Sequence, residues 1–250
     1  MTKTASHTGH VIWRELMTGD LEGAKGFYGE LFGWTFKTMP MPEGTYTLAE
    51  VGGKGIGGMM PQPPNMKMPP MWTSYVSVPD TDAACAAASA NGGKVVFGPV
   101  TMEGVGRMAT VLDFDMAALA VMTPAGPDEK PGRPALHTFC WETLSTSDVA
   151  RAHTFYGAVC GWKPGNGSMG MPVLAAADGS DVCDVQTAEG RPPSWLTYVV
   201  VESLEASNAK AAKMGGKVMM PRIDIPKVGS ISVISDPQGA FIGLFVPSMG

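Results

Sequence analysis

Few side chains in this sequence are placed to do chemistry, and the best placed is Glu15. It stands two residues after Trp13 in the strand-like run VIWRELM (11–17), and alternate residues of a strand share a face. A carboxylate held beside indoles in an apolar cleft is disfavoured in its charged form, so its pKa should rise, making it a candidate general acid or base. The bland alternative is a carboxylate that caps a backbone group or pairs with an arginine such as Arg107. Around Glu15, Trp13, Tyr46, Met59 and Trp72 would give an adaptable aromatic and thioether lining, suited to a planar or apolar molecule. Plain core packing is the competing account of the tryptophans.

Metal-capable groups are scattered. His7 and His10 precede the first strand in a stretch expected to fray, His137 precedes a later strand, and His153 lies between Ala152 and Phe155. Cys183 and Asp184 are neighbours on a strand-like run, so they point to opposite faces and cannot serve one cavity. The four cysteines share no CxxC spacing, as expected of reduced thiols in a cytosolic chain. The run GGMMPQPPNMKMPPMW (57–72) holds thioethers that could bind Cu(I), but its interleaved prolines fit a linker better.

The elements that must position these residues are repeated. FYGELFGW (27–34) returns as FYGAVCGW (155–162), and at that offset of 128 positions ten of the twenty-two residues from 13 to 34 are identical. At an offset of 123, PPMWTSYVSV (69–78) meets PPSWLTYVVV (192–201), GGKV meets GGKV, and Asp113 meets Asp236. This is a tandem duplication. The halves run over 8–124 and 137–250, joined by a charged, proline-bearing linker at 125–136.

Within each half a finer unit recurs. A strand leads to Asp20 as helix N-cap, a helix with Leu21, Ala24, Phe27, Tyr28 and Leu31 on one face, and Gly33 as its stop. Strands follow at 46–51 and 55–60. The order then repeats, with a strand at 72–78, a helix at 81–91, and strands near 95–97, 107–112 and 119–122. The expected fold is α+β: four βαβββ modules, paired into two open half-barrel clefts with helices outside. A tryptophan sits in the opening strand of every module: Trp13, Trp72, Trp141 and Trp195.

The pattern DLEGAKGFYGELFGW, with a β-rich tail ending near DPQGA (236–240), resembles the vicinal oxygen chelate superfamily of glyoxalases, bleomycin-resistance proteins and extradiol dioxygenases. Two such domains in one chain, opening with WREL and WETL, resemble a tandem glyoxalase-like or hydroxylase-like subgroup. Catalytic members hold a divalent metal through residues of the opening strands and a Glu on the last strand. The resemblance sets these ligand positions on Trp13, Thr73 and Ala120 in the first half, and on Trp141, Leu196 and Gly243 in the second. None of the six ligates a metal well. Thr73 is thereby a candidate for ligand contact rather than for metal, as are Trp141 and, two residues on, Thr143. Arg107 and Tyr46 have no like residue in the second half, so the first cleft looks the better equipped.

Composition narrows the rest. With 44% hydrophobic and 16% charged residues, a well-filled core is expected. The net charge of −5 with no Lys/Arg run argues against nucleic acid, and no apolar stretch is long enough to span a membrane. The expectation is a cytoplasmic small-molecule binder that needs no cofactor, with a resistance or hydroxylase-accessory role. A homodimer is compatible with it. The rival is an enzyme of the same superfamily, either a glyoxalase-like lyase or a dioxygenase-like enzyme with a relocated metal, or a cofactor-free acid–base enzyme using Glu15. A third possibility is an interaction protein whose clefts its own side chains fill.

Overall fold

The computed structural model describes residues 7–41, 44–63, 68–126, 134–167 and 170–248. The first half runs β1 (Val11–Thr18), α1 (Leu21–Phe32), β2 (Thr35–Met41), β3 (Gly44–Val51), β4 (Lys54–Pro61), β5 (Met71–Ser77), α2 (Thr81–Ala90), β6 (Lys94–Met102), β7 (Gly106–Leu112) and β8 (Ala118–Pro124). The second half repeats it as β9 (Phe139–Thr146), α3 (Val149–Cys160), β10 (Lys163–Asn166), β11 (Pro172–Ala175), β12 (Asp181–Thr187), β13 (Ser194–Val200), α4 (Leu204–Lys213), β14 (Lys217–Ile225), β15 (Gly229–Ser235) and β16 (Phe241–Pro247). Each half supplies one open eight-stranded mixed sheet, in the orders β2-β3-β4-β1-β5-β8-β7-β6 and β10-β11-β12-β9-β13-β16-β15-β14. This is the expected α+β arrangement of four βαβββ modules.

Local signals act as expected. Asp20 caps α1 by accepting from the Gly23 amide at 2.9 Å, and Asp148 caps α3 from Arg151 at 3.0 Å. Gly33 and Gly161 end these helices in the left-handed conformation, with φ of 70° and 71°. β2 was not among the expected strands. It carries Pro40, is mostly exposed and forms an edge of its sheet, where a missing N–H costs least. The methionine-rich run is only partly a linker, because 57–61 lie in β4 and 71–72 in β5; residues 64–67 lie outside the described residues.

Packing crosses the sequence halves. The chain divides into two compact units, Met1–Ile12 with Thr73–Gly132 and Glu142–Trp195, and Trp13–Trp72 with Arg133–Trp141 and Leu196–Gly250. The first and fourth modules thus share a core, in which α1 packs with α4; the second and third share the other, in which α2 packs with α3. The repeated octet makes these junctions. Tyr28 donates to Asp236 at 3.1 Å, and Tyr156 to Asp113 at 2.8 Å, all four residues being buried. Trp34 Nε1 donates to the His137 carbonyl at 2.8 Å, and Trp162 Nε1 to that of Gly9 at 2.6 Å. Phe155 lies against Gly93, where an added Cβ would come within 2.7 Å of its ring, and Phe27 lies against Gly216 in the same way at 3.0 Å. The aromatic residues of the octet reach the opposite half.

The aspartates that receive these phenols also close hairpin turns. Asp113 Oδ1 accepts from the amides of Asp115 and Ala117, and Asp236 Oδ1 from those of Gln238, Gly239 and Ala240. Burial, then the neighbouring carboxylate, pushes both tyrosine phenols well above their usual range. The segment before β1 is not frayed from residue 7 onward. His7 is buried, Gly9 donates to the Ser77 carbonyl at 2.7 Å, and His10 meets Asp178 at 3.1 Å. Among the described residues no helix is long and apolar enough to cross a membrane, and all four cysteines are free.

Two outcomes follow from this packing. A protease site inserted in the linker and cut after folding leaves the halves co-eluting on gel filtration until denaturant is added. Tyr28→Phe and Tyr156→Phe each cost about 1.5–3 kcal/mol in urea unfolding, since each removes a donor from a buried carboxylate. A phenol whose folded pKa is raised stabilises the fold below its ordinary value, near 10, and that stability is lost as pH rises above it. Wild type should therefore lose stability above about pH 10 more steeply than the double variant.

Candidate functional site

β1 divides its side chains between two environments. Leu16 and Thr18 are fully buried, Leu16 in the core that α1 contributes to, while Trp13, Glu15 and Met17 alternate onto the other face and are half-buried. β4 runs parallel to β1 in a register that sets Gly58 beside Glu15 and Met60 beside Met17. β3 sets Leu48 beside Gly58, and Tyr46, two residues earlier, shares that face.

Tyr46 joins the polar groups of this face. Trp13 Nε1 donates to Tyr46 Oη at 2.8 Å, and the phenol in turn donates to Glu15. Gly58 makes room for it, because an added Cβ would lie 1.7 Å from Tyr46 Oη. Burial first, and then the Glu15 charge, drives the phenol well above its usual range, so Tyr46 stays a neutral donor. Hydrogens run in one direction, from indole to phenol to carboxylate.

Other expected site residues lie elsewhere. Met59 is fully buried in the α1 core with Leu16 and Ala49; alternation puts Met60, not Met59, on the Glu15 face. Trp72 is also a core residue, 5% exposed, and donates to Tyr28 at 3.0 Å; Trp195 does the same to Tyr156. The four opening-strand tryptophans thus have two roles, Trp72 and Trp195 locking the octet tyrosines and Trp13 and Trp141 standing half-buried on their strands. Arg107 does not meet Glu15. Its guanidinium grips Asp82 in a bidentate pair, at 2.5 and 2.7 Å, and donates to Thr101 at 3.0 Å. Thr73 is half-buried on β5 and, with Arg107, belongs to the other packing unit.

The second half is chemically different rather than bare. Trp141 and Thr143 share a face of β9, and Thr143 Oγ1 donates to Asp184 Oδ1 at 2.7 Å. Gln186 and Ser145 form the next pair, at 3.4 Å, while Cys183 turns into the core. Register explains the relation: Asp184 pairs with Thr143 as Gly58 pairs with Glu15. A carboxylate therefore stands in both halves, on β1 in one and on β12 in the other. Sequence reasoning weighed Asp184 only with Cys183, as a metal pair, and so missed it. Aligning strands by register rather than by a fixed offset would have found it, and also Gly58, Met17 and Met60. The same register makes Met171 the counterpart of Tyr46.

The metal positions implied by the resemblance do not fit an ion. Trp13 is committed to Tyr46. Ala120 is fully buried beside Tyr75. Gly243 lies under the Tyr198 ring, where even a Cβ would come within 2.1 Å, so no carboxylate can stand there without displacing the ring. Among the described residues no three or more His, Cys, Asp or Glu converge. His153, by contrast, is a lone imidazole whose pKa burial lowers.

Because Gly58 is what admits the phenol, Gly58→Ala should displace Tyr46 and break its bond from Trp13. The Trp13 indole N–H resonance would then move upfield and exchange with solvent faster, with the fold otherwise retained.

A model of the Glyoxalase/Bleomycin resistance protein/Dioxygenase superfamily matches residues 7–121. A Mycobacterium tuberculosis protein with the provisional name glyoxylase CFP32 is 33% identical over 248 residues, covering 94% of each chain. The anthracycline biosynthesis protein DnrV of Streptomyces peucetius is 30% identical over 255 residues, covering 93% of this chain and 91% of its own. Among solved structures, the Mn(II)-bound glyoxalase of Novosphingobium aromaticivorans superposes with a TM-score of 0.62 at 14% identity, over 96% of this chain and 82% of its own. With a relative this similar along nearly its whole length, and with four βαβββ modules in two open sheets, the chain belongs to the glyoxalase/bleomycin resistance protein/dioxygenase superfamily.

Proposed function

We propose that this chain is a metal-independent binding protein for a small planar, largely apolar metabolite, held on the face that carries Trp13, Tyr46 and Glu15. The line from Trp13 through Tyr46 to Glu15 carries this reading. It fixes one indole and one phenol in place, and strand register sets Met17, Leu48 and Met60 on the same face, a lining that favours stacking and sulfur–ring contacts. The DnrV relative, named for anthracycline biosynthesis, supports an aromatic polycyclic ligand and an accessory role in making or resisting one. Free cysteines suit a cytoplasmic setting.

A second reading has its own support. A carboxylate that receives a hydrogen bond from a neutral phenol can act as a proton acceptor, so cofactor-free acid–base catalysis through Glu15 is the alternative. The two separate cleanly. Under the binding reading, protein stripped with chelator binds an anthraquinone probe in calorimetry as well as untreated protein does. Trp13→Leu weakens that binding about tenfold, the scale of one lost aromatic contact. Stoichiometric Fe, Ni, Zn or Mn in protein never exposed to chelator, with binding lost on its removal, would overturn this. Under the enzymatic reading, Glu15→Gln lowers turnover by about a hundredfold or more and leaves probe binding in place.

A further inference from the structure

We propose that Met39, Met60 and Met17 form a methionine-oxidation site, and that turning these thioethers into sulfoxides weakens the hold of the Trp13–Tyr46–Glu15 face on its aromatic ligand. The proposal rests on the aromatic-binding reading above and adds to it a means of control.

Register gathers the three thioethers. β2 sets Met39 opposite Tyr46, and β4 lies against β1 with Met60 opposite Met17. Between them, β3 runs against β4 with Thr47 opposite Met59, which brings Tyr46 level with Met60. Residues opposite one another in a sheet share a face, so one row across the four strands reads Met39, Tyr46, Met60, Met17. The row beside it carries Leu48, Gly58 and Glu15. A flat ring stacked on this face meets sulfur on both sides of Tyr46.

Exposure separates this row from the core behind it. Met39 is 36% exposed, and Met60 and Met17 are half-buried, so a small peroxide reaches each sulfur. Met59, the neighbour of Met60, faces the core at 0% exposure and serves as an internal reference. In the second half Met171 takes the place of Tyr46, while Gln186 and Ser145 take those of Met60 and Met17. Sensitivity to oxidation therefore belongs to the first half.

Hydrogen peroxide supplies the oxygen. A sulfur lone pair attacks one peroxide oxygen, and the S–O bond forms as the O–O bond breaks. The departing hydroxide takes the proton left on the new oxygen and becomes water; sulfur is oxidised by two electrons and the peroxide is reduced by two. The product is a polar acceptor where an apolar thioether stood. Against a ring face it forfeits the sulfur–ring attraction and sheds water without a hydrogen bond from the ring in return. Methionine sulfoxide reductases regenerate the thioether, so the change is reversible.

The test measures the affinity of the full chain for an anthraquinone probe by calorimetry, before and after brief treatment with dilute hydrogen peroxide. Dithiothreitol follows the peroxide, since it reverses cysteine sulfenates and disulfides but leaves sulfoxides in place. Tandem mass spectrometry should find an added oxygen on Met39, Met60 and Met17 and none on Met59, and saturating probe should slow uptake at all three. Treated wild type should bind about tenfold more weakly, and sulfoxide reductases of both epimer specificities together should restore it. In the triple variant Met17→Leu, Met39→Leu, Met60→Leu, the ratio of affinities before and after peroxide should stay within about twofold, whatever the starting affinity. That ratio discounts oxidation of other exposed methionines, such as Met116. If the triple variant does not fold, probe protection and reductase rescue of wild type decide. No uptake at the three sulfurs, unchanged affinity once they are oxidised, or a loss that persists in the triple variant overturns the switch while leaving aromatic binding standing. No binding of the probe to untreated protein overturns both.

Discussion

Two buried tyrosine–aspartate hydrogen bonds hold this fold in its particular arrangement. Tyr28 and Tyr156 are each buried to the last atom, and each is shared between an aspartate and a tryptophan. The aspartates lie far away in sequence and also clamp the turns that join the last strands of their modules. A phenol left unpaired at such depth would be costly, so its partner must be present whenever the core closes. The consequence is a chain whose sequence halves do not each build their own core. The octet that recurs in both halves is kept in pattern because it serves the same cross-half contact twice, phenylalanine against glycine, tyrosine against aspartate and tryptophan against a backbone carbonyl.

That constraint decides which face of each opening strand is available for anything else. Leu16 and Met59 are drawn into the core that Tyr28 anchors, and alternation then leaves Trp13, Glu15, Met17 and Met60 on the opposite face. Trp72 shows the same logic from the other side. It resembles Trp13 in sequence position, yet stands one residue out of phase with it, and its indole is consumed by Tyr28. The candidate site residues occupy what core assembly does not require.

The duplicated faces have diverged by moving a charge between strands rather than by losing it. In one half the carboxylate is Glu15 and the neighbouring strand offers a glycine; in the other the strand offers Asp184 and the equivalent of Glu15 is Thr143. Each solution is satisfied locally, by Tyr46 in the first case and by Thr143 in the second. Neither arrangement resembles a metal-binding triad, and the Tyr198 ring over Gly243 fills space that a ligating side chain would need.

The sequence by itself determined the modules. Helix caps at Asp20 and Gly33, the alternation of β1 and the repeat at two offsets are local properties, written in neighbouring residues, and they led to four βαβββ units, to the superfamily and to Glu15 as the residue to watch. It also suggested that Arg107 could neutralise Glu15 and that Met59 and Trp72 would line a cleft. Only the tertiary structure decided those points. Strand pairing and register depend on residues tens of positions apart, as with Glu15 and Gly58, and core packing on residues as far apart as Tyr28 and Asp236, and no local pattern encodes either choice. Register puts Gly58 under Tyr46 and Asp184 beside Thr143, cross-half packing claims Trp72 and Met59 for the cores, and an exposed aspartate at the start of α2 claims Arg107.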